Sequence, residues 1–460
     1  MDTQHFNHFK NIVGEENIYE DKAHLIAYSY DATREHFEPD AVLFPRHEQD
    51  VSDILKYCNE NQIIIVPRGA GSGFTGGAIP SEGGVVLAFE RHLNKILDID
   101  MQNMVAVVQP GVINMDLQKA VEEVGLFYPP DPASQEYSTI GGNVNENAGG
   151  MRAAKYGITK DYVMAIRAVL PNGDIIKAGK RTIKDVAGYN ISGILIASEG
   201  TLAVTTEVTL KLLSKPKMTK TAMGIFESVT QAMEAVYKTM AGGVTPVAME
   251  FLDNLTIRAV EQTYNKGLPI EAGAILVTDV DGNLEDDLNF QLDLIEKIFK
   301  ENGCSEFKRA KNDAEAADLW FARRNASQSL SIYGSKKLNE DVTVPRAVLP
   351  ELLTAFNKIA DKYNINIPCF GHTGDGNVHT NVMVDGSDPE QVKIAYQAIE
   401  EVFQATIDLG GTLSGEHGIG IAKAPYMSMA FTDEEMNLFN TIKKAFDPNN
   451  ILNPHKMGLK

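Results

Sequence analysis

The spacing of apolar positions changes several times along the chain, and each change marks an element. From Pro39 the run PDAVLFPRHEQDVSDILKYCNENQIIIVPRGAGSGFTGG reads as strand, helix, strand and glycine loop. The strands fall at Ala41–Phe44 and Ile63–Pro67, the helix at Glu48–Asn59. Val51, Ile54, Leu55 and Cys58 recur at helical spacing and form one stripe. GGVVLAFE and MVAVVQPGV are strand-like, and the helix NMDLQKAVEEVG stops at a glycine. YPPDPASQEYSTIGGNVNENAGG has no period, and a loop of that length in a compact domain is usually functional. YVMAIRAVLPNGDIIKAG reads as a hairpin turning at Asn172-Gly173, and LIASEGTLAVTTEVTLKLLSKP closes the first half.

The pattern shifts near Lys215–Thr219. Beyond it strands and helices alternate: TAMGIFES, TQAMEAVYKTM, PVAMEFLD, NLTIRAVEQTY, AGAILVTDVD and LEDDLNFQLDLIEKIFKENG, an α+β or α/β pattern. The last portion holds the helix PRAVLPELLTAFNKIADKYN and the strands INIPCF and HTNVMV. A helix over Pro389–Leu409 has Asp388 as N-cap, Pro389 in its first turn and Gly410 as a stop. Residues 1–37 read as a helical lead-in, and no internal repeat is present.

Composition narrows the classes. A chain of 460 residues suggests two or three domains. With 62 acidic against 42 basic side chains, a net of −20, it repels phosphate backbones, which argues against a nucleic-acid partner. The three cysteines, Cys58, Cys304 and Cys369, are far apart and form no CxxC or disulfide framework, which suits a reducing cytosol. The first residues are polar and carry no signal-like apolar core. No apolar run approaches the roughly 18 residues of a membrane span.

GSGFTG at Gly71–Gly76 matches the dinucleotide fingerprint GxGxxG, with a strand before it and Glu90 nineteen residues after Gly71. The context refuses that reading, because GAIPSEGG follows where a helix should open. The glycines still allow backbone N–H groups to converge on an anion, with Arg68, Ser72 and Thr75 adding donors. GHTGDGNVH, taken alone, reads as a polar turn with incidental His372 and His379. GGTLSGEHGIG adds Glu416 and His417 in a second glycine-flanked stretch. Two imidazoles and a carboxylate make a common three-ligand set for a divalent metal, and a further histidine would serve proton transfer.

Eight motifs in order resemble the FAD-linked 2-hydroxy-acid dehydrogenases of the vanillyl-alcohol-oxidase superfamily. They are PRGAGSGFTGG, PPDPASQEYSTIGGNVNENAGG, ASEGTLAVTTEV, LWFARRNAS, EDVTVP, GHTGDGNVH, SGEHGIG and FDPNNILNPHKMG. The group includes glycolate oxidase flavin subunits, D-lactate dehydrogenases and D-2-hydroxyglutarate dehydrogenases. The resemblance runs from about Pro39 to Lys456. It implies an α+β protein with three parts: the lead-in 1–37, a two-subdomain PCMH-type FAD-binding domain over 38–217, and a C-terminal α+β substrate and metal domain over 218–460.

FAD is expected to be non-covalent, since GAGSG lacks the histidine that tethers flavin in some members. The resemblance places Arg68, Gly69, Ala70, Gly71, Ser72 and Gly73 at the pyrophosphate. It places Pro130, Asp131, Ser134, Thr139, Gly141, Gly142, Asn143, Asn147 and Gly149 along the isoalloxazine, and Glu199 and Gly200 near the adenosine. Gly76 and Asn453 complete the cofactor set. His372, His379 and Glu416 are implied to bind zinc, iron or manganese, with His417 as the catalytic base. Arg323 matches the residue that grips the substrate carboxylate, and Ser327 a neighbouring hydroxyl. A lysine found before DVTVP in some relatives is out of register: Asn339 and Glu340 stand there, with Lys336 and Lys337 upstream. His455 stands where the family motif has glycine.

The implied reaction oxidises a small D-2-hydroxy acid, D-lactate or glycolate, to the 2-oxo acid. His417 takes the hydroxyl proton and hydride goes to flavin N5. The electrons leave to a non-NAD acceptor: a quinone, an electron-transfer flavoprotein or an iron–sulfur subunit. A dicarboxylate dehydrogenase of the D-2-hydroxyglutarate type and a flavin subunit of a multi-subunit glycolate oxidase are the alternatives. A colourless metal hydrolase on the same triad and a structural flavin subunit compete from other classes. A cytoplasmic location is expected, peripheral at the inner membrane face through a partner, and a homodimer is compatible with it.

Overall fold

The computed structural model describes residues 1–33 and 35–460. The chain forms two compact units. Unit one contains Met1–Gly149, Ile158–Lys215 and Glu416–Lys460; unit two contains Gly150–Gly157 and Pro216–Gly415.

Unit one holds two main sheets. The first has four strands, ordered Ile18–Tyr19, Ala41–Leu43, Val85–Ala88, Ile65–Arg68. The last three run parallel. Parallel strands bury both faces, which is why they read as unbroken apolar runs. Leu43, Ile65, Val85 and Leu87 pack under the helix Glu48–Asn61, whose stripe is Val51, Ile54, Leu55 and Cys58 as the spacing predicts. Val42, Val66, Val86 and Ala88 face the other way, onto Tyr19, Leu25 and Tyr28. The glycine loop leaves the carboxyl end of Ile65–Arg68, where open α/β sheets bind ligands. The second sheet is antiparallel, ordered Ile96–Asp100, Val105–Val108, Val204–Lys211, Val163–Val169, Ile175–Gly179.

One expectation fails inside the unpatterned loop. Ile140–Glu146 is a helix, capped by the Thr139 hydroxyl on the Gly142 amide. Gly141 and Gly142 are poor helix formers and mask it in the sequence.

Unit two is built on seven strands, ordered Cys304–Arg309, Met218–Phe226, Ala274–Gly282, Ala248–Asp253, Cys369–His372, Asn377–Val384, Lys336–Thr343. Every pairing is antiparallel. Helices Asn254–Tyr264 and Phe321–Ser329 pack on one face, around Leu252, Ile275, Val277, Phe370 and Met383. Val229–Ala241, Glu285–Glu301, Leu349–Tyr363 and Pro389–Asp408 pack among themselves and on strands of this sheet. The strand expected over INIPCF starts only at Cys369. Pro368 has no N–H to donate to a ladder. Asp388 caps Pro389–Asp408 as expected, by accepting from the Glu390 and Gln391 amides. No helix among the described residues is long and apolar enough to cross a membrane.

Candidate functional site

The glycine loop and the loop before Gly149 meet in unit one around two adjoining cavities of about 520 and 970 Å³. Ligand clefts typically measure ~300–1,000 Å³. Arg68, Gly69, Thr139, Gly141, Gly142, Glu199 and Gly200 line the smaller one. Gly69, Ala70, Gly71, Ser72, Gly73, Ser134, Thr139, Gly142, Asn143, Gly149, Glu416 and His417 line the larger. The remaining cofactor candidates, Gly76, Pro130, Asp131, Asn147 and Asn453, are not among the lining residues. The Gly76 amide donates to Asp31, and the Pro130 carbonyl accepts from Asn114 and Gln118. Asp131 is buried, and Asn147 ends a helix in the left-handed region. The Asn453 amide donates to the Gly77 and Glu199 carbonyls.

The cradle has no room for side chains where it is narrowest. A Cβ at Gly69 would stand 2.3 Å from the Thr139 hydroxyl oxygen, and one at Gly77 2.8 Å from Glu146 Oε1. Ser138 Oγ and Glu146 Oε2 are sealed from solvent without a hydrogen-bond partner, and both residues line the larger cavity. A backbone-walled cleft with polar atoms waiting for a partner fits a dinucleotide. Arg68 is buried, and its guanidinium donates to the Tyr30 and Ala78 carbonyls while lying 5.5 Å from the Tyr28 ring centre. It braces the loop as well as charging it.

Glu199 does more than line a cavity. Its two carboxylate oxygens accept from the Ile419 and Gly420 amides, each at 2.7 Å. Thr75 adds to the grip: its carbonyl accepts from the Ile421 and Ala422 amides and its hydroxyl donates to the His417 carbonyl. Gly420 needs its bare backbone, since φ is +52° and a Cβ would meet the Thr75 oxygen at 2.1 Å. The SGEHGIG segment is therefore held through its backbone, and His417 stacks on Phe74 at 5.1 Å. Burial pushes the Glu199 carboxyl up, against the pull of those two amides. Burial, with Glu199 and Asp31 nearby, pushes Glu146 well above the carboxylate range. Lys456 is held down to about 8, chiefly by burial. Replacing Glu199 by alanine strands two amide donors, each worth about 1–3 kcal/mol if left unmet. Thermal unfolding of Glu199→Ala should show that loss, with turnover falling; an unchanged melting temperature would count against this role.

In unit two a polar stripe crosses the sheet. Glu250 stands opposite His372, Phe370 opposite His379, and Asp341 opposite His379 in strand register. Opposed residues and residues two apart share a face, so Glu250, His372, His379 and Asp341 line up across four strands. The turn at 373–376 lets His372 end one strand and His379 enter the next. Their Nε2 atoms are 3.3 Å apart, and both side chains are buried. Glu250 is fully buried and bonds His372 Nδ1 at 2.7 Å and Arg323 Nε at 2.6 Å. Burial would raise its carboxyl, but the His372 and Arg323 charges hold it below the usual range. Arg323 lies 4.9 Å from the Phe370 ring centre, and among the described residues Glu250 is its one hydrogen-bond partner, so the two Nη groups stay available to an anion. Ser327, one helical turn on, accepts from Lys337 Nζ at 2.7 Å. Asp341 accepts from the Ser414 hydroxyl and the Gly415 amide.

Glu250, Asp341 and Glu146 are absent from the candidates read from the sequence, and Thr75, read there as a donor to an anion, instead grips the SGEHGIG segment. Glu250 had a visible signal, a lone carboxylate in the apolar strand PVAMEFLD.

A flavin-binding oxidoreductase is the class that this cleft and this fold define. The match to families of known proteins narrows it: residues 39–179 match the FAD binding domain and residues 215–457 the C-terminal domain of FAD linked oxidases. The chain belongs to the FAD-linked oxidase family and is an FAD-dependent oxidoreductase. It is 44% identical to the glycolate oxidase subunit GlcD of Bacillus subtilis, over 98% of this chain and 95% of that one. It is 35% identical to a D-lactate dehydrogenase of Anaerostipes hadrus, over 98% and 94%. The fold is shared with p-cresol methylhydroxylase, at a TM-score of 0.83 and 19% identity over 100% of this chain and 98% of that one. That likeness supports the PCMH-type α+β architecture expected from the motifs.

Proposed function

We propose that the protein oxidises a small D-2-hydroxy acid, of the D-lactate or glycolate class, to the 2-oxo acid. The observation that carries this reading is the pair of buried imidazoles with Glu250 and Arg323 beside them. Two nitrogens each about 2.0–2.1 Å from one tetrahedral ion lie close to that 3.3 Å separation. Glu250 on His372 Nδ1 is the outer carboxylate that orients a metal-binding imidazole. His372, His379 and Glu416 would hold the ion, whether zinc, iron or manganese. Support for Glu416 comes from the chain path: Asp341, opposite His379, holds Gly415, and Glu416 is the next residue. A divalent ion in such a site would lower the pKa of a coordinated hydroxyl.

The chain's own residues supply the rest. Arg323 pairs with the substrate carboxylate, and His417 accepts the hydroxyl proton. Bound FAD supplies the two-electron chemistry, held non-covalently by the glycine cradle. The electrons then pass to a quinone, an electron-transfer flavoprotein or an iron–sulfur subunit. The name of the Bacillus subtilis relative, a subunit, favours a partner chain. A cytoplasmic location, at the membrane through such a partner, is part of this reading. The ammonium of Lys337 on Ser327 favours a second reading, in which a dicarboxylate of the 2-hydroxyglutarate type places its distal carboxylate there.

Anaerobic titration of the yellow holoprotein with D and L 2-hydroxy acids tests both. D-lactate or glycolate should bleach the flavin, and L-lactate should not. Strongest bleaching by D-2-hydroxyglutarate would move the assignment to the dicarboxylate, and no bleaching by any acid with FAD bound would end it.

A further inference from the structure

Residues 180–190, KRTIKDVAGYN, follow the strand Ile175–Gly179 in unit one and are exposed along their whole length. Ile183, Val186 and Tyr189 expose 94, 99 and 92% of their surface. Single exposed apolar residues are ordinary. Three large ones within seven residues, with nothing beside them, are not. Exposure so near complete means that the loop projects and lines no groove. It has no part in either cofactor cavity. Ile194, on the helix Ile191–Leu195 that follows, is exposed as well.

The charge of this stretch reverses that of the chain. Lys177, Lys180, Arg181 and Lys184 are exposed; within the stretch the one acid is Asp185, whose carboxylate accepts from the Ala187 amide, and Asp100 lies near Arg181 from outside it. Arg181 also pairs with Asp98 at 3.2 Å; both are about half exposed, so the pair contributes little. The chain as a whole carries −20. Screening over about 8 Å at physiological ionic strength leaves the local positive excess to decide what this loop meets. Apolar side chains between lysines are the composition of segments that lie in the interface of an anionic bilayer.

We propose that this loop seats the protein on an anionic lipid surface. Ile183, Val186 and Tyr189 enter the headgroup region, and Lys180 and Lys184 meet the anionic headgroups. An electron acceptor dissolved in the bilayer would then be reached without a spanning helix. The inference stands on the loop alone and needs neither the substrate nor the metal assignment.

The test is cosedimentation of the FAD-loaded protein with phosphatidylcholine vesicles, with and without phosphatidylglycerol, at low and high salt. The native protein should bind the anionic vesicles and release as salt rises. The triple variant Ile183→Asp, Val186→Asp, Tyr189→Asp should bind about tenfold more weakly or worse. Lys180→Glu with Lys184→Glu should weaken binding several-fold. Flavin absorbance and dye-linked turnover should be unchanged in both, which reports correct folding. In a separate Tyr189→Trp variant the added indole should shift its emission to the blue on anionic vesicles. Failure of the native protein to bind anionic vesicles overturns the proposal, as does equal binding by the triple variant. Equal affinity for neutral vesicles overturns the anionic assignment. A lipid-free complex with another protein that the triple variant loses, together with indifference to vesicles, assigns the loop to a protein partner instead.

Discussion

Replacing Glu250 by alanine should lower kcat/KM for 2-hydroxy acids by about 100-fold, the upper end for loss of a carboxylate that orients a metal-binding histidine. Two side chains lose their anchor at once. His372 Nδ1 and Arg323 Nε both bond this carboxylate, and all three groups are buried or nearly so. Removing one partner of a buried ion pair leaves an uncompensated charge and destabilises by about 3–5 kcal/mol. The variant should therefore melt lower and, under the metal reading, bind the ion more weakly. Glu250→Gln separates the effects. It keeps a carbonyl acceptor for one partner and fills the same volume, so stability should recover further than activity. Metal content by elemental analysis and melting by circular dichroism report the two consequences independently. Full activity with a normal metal content in Glu250→Ala would remove this residue from the account of the site.

His417→Ala should lower kcat by about 10²–10⁴-fold, the usual contribution of a positioned base, with FAD content unchanged. The backbone around His417 has anchors of its own. The segment is held by Glu199 on the Ile419 and Gly420 amides and by Thr75 on its carbonyl and amides, none of which uses the imidazole. The ring stacks on Phe74, which is itself half exposed. Alanine thus removes the ring and leaves the backbone path. Flavin absorbance, melting temperature and turnover measured on one preparation decide the matter. Turnover within tenfold of the native protein would place the base elsewhere.

Much of the architecture was legible because burial writes its period into the chain. The stripe Val51, Ile54, Leu55 and Cys58 predicted its helix, and the unbroken VVLA and VAVV runs predicted buried strands. The helix Ile140–Glu146 was not legible, because its glycines serve close packing and obscure helical periodicity. Glu199 illustrates a limit of a different kind. Its motif marks it as a cofactor-site residue, but both its carboxylate oxygens are committed to a segment about 220 positions away. Such a partnership has no local signature.

The sequence by itself determined most of the elements, the glycine cradle, the family and the two histidine-bearing motifs. Each depends on residues close together in the chain, where periodicity, turn chemistry and motif spacing act. Only the tertiary structure decided that Glu250 would stand across from His372, 122 positions away, and reach Arg323 from the same face. Strand order and register are set by burying whole apolar faces, and a one-residue slip would turn every side chain in the stripe to the opposite face.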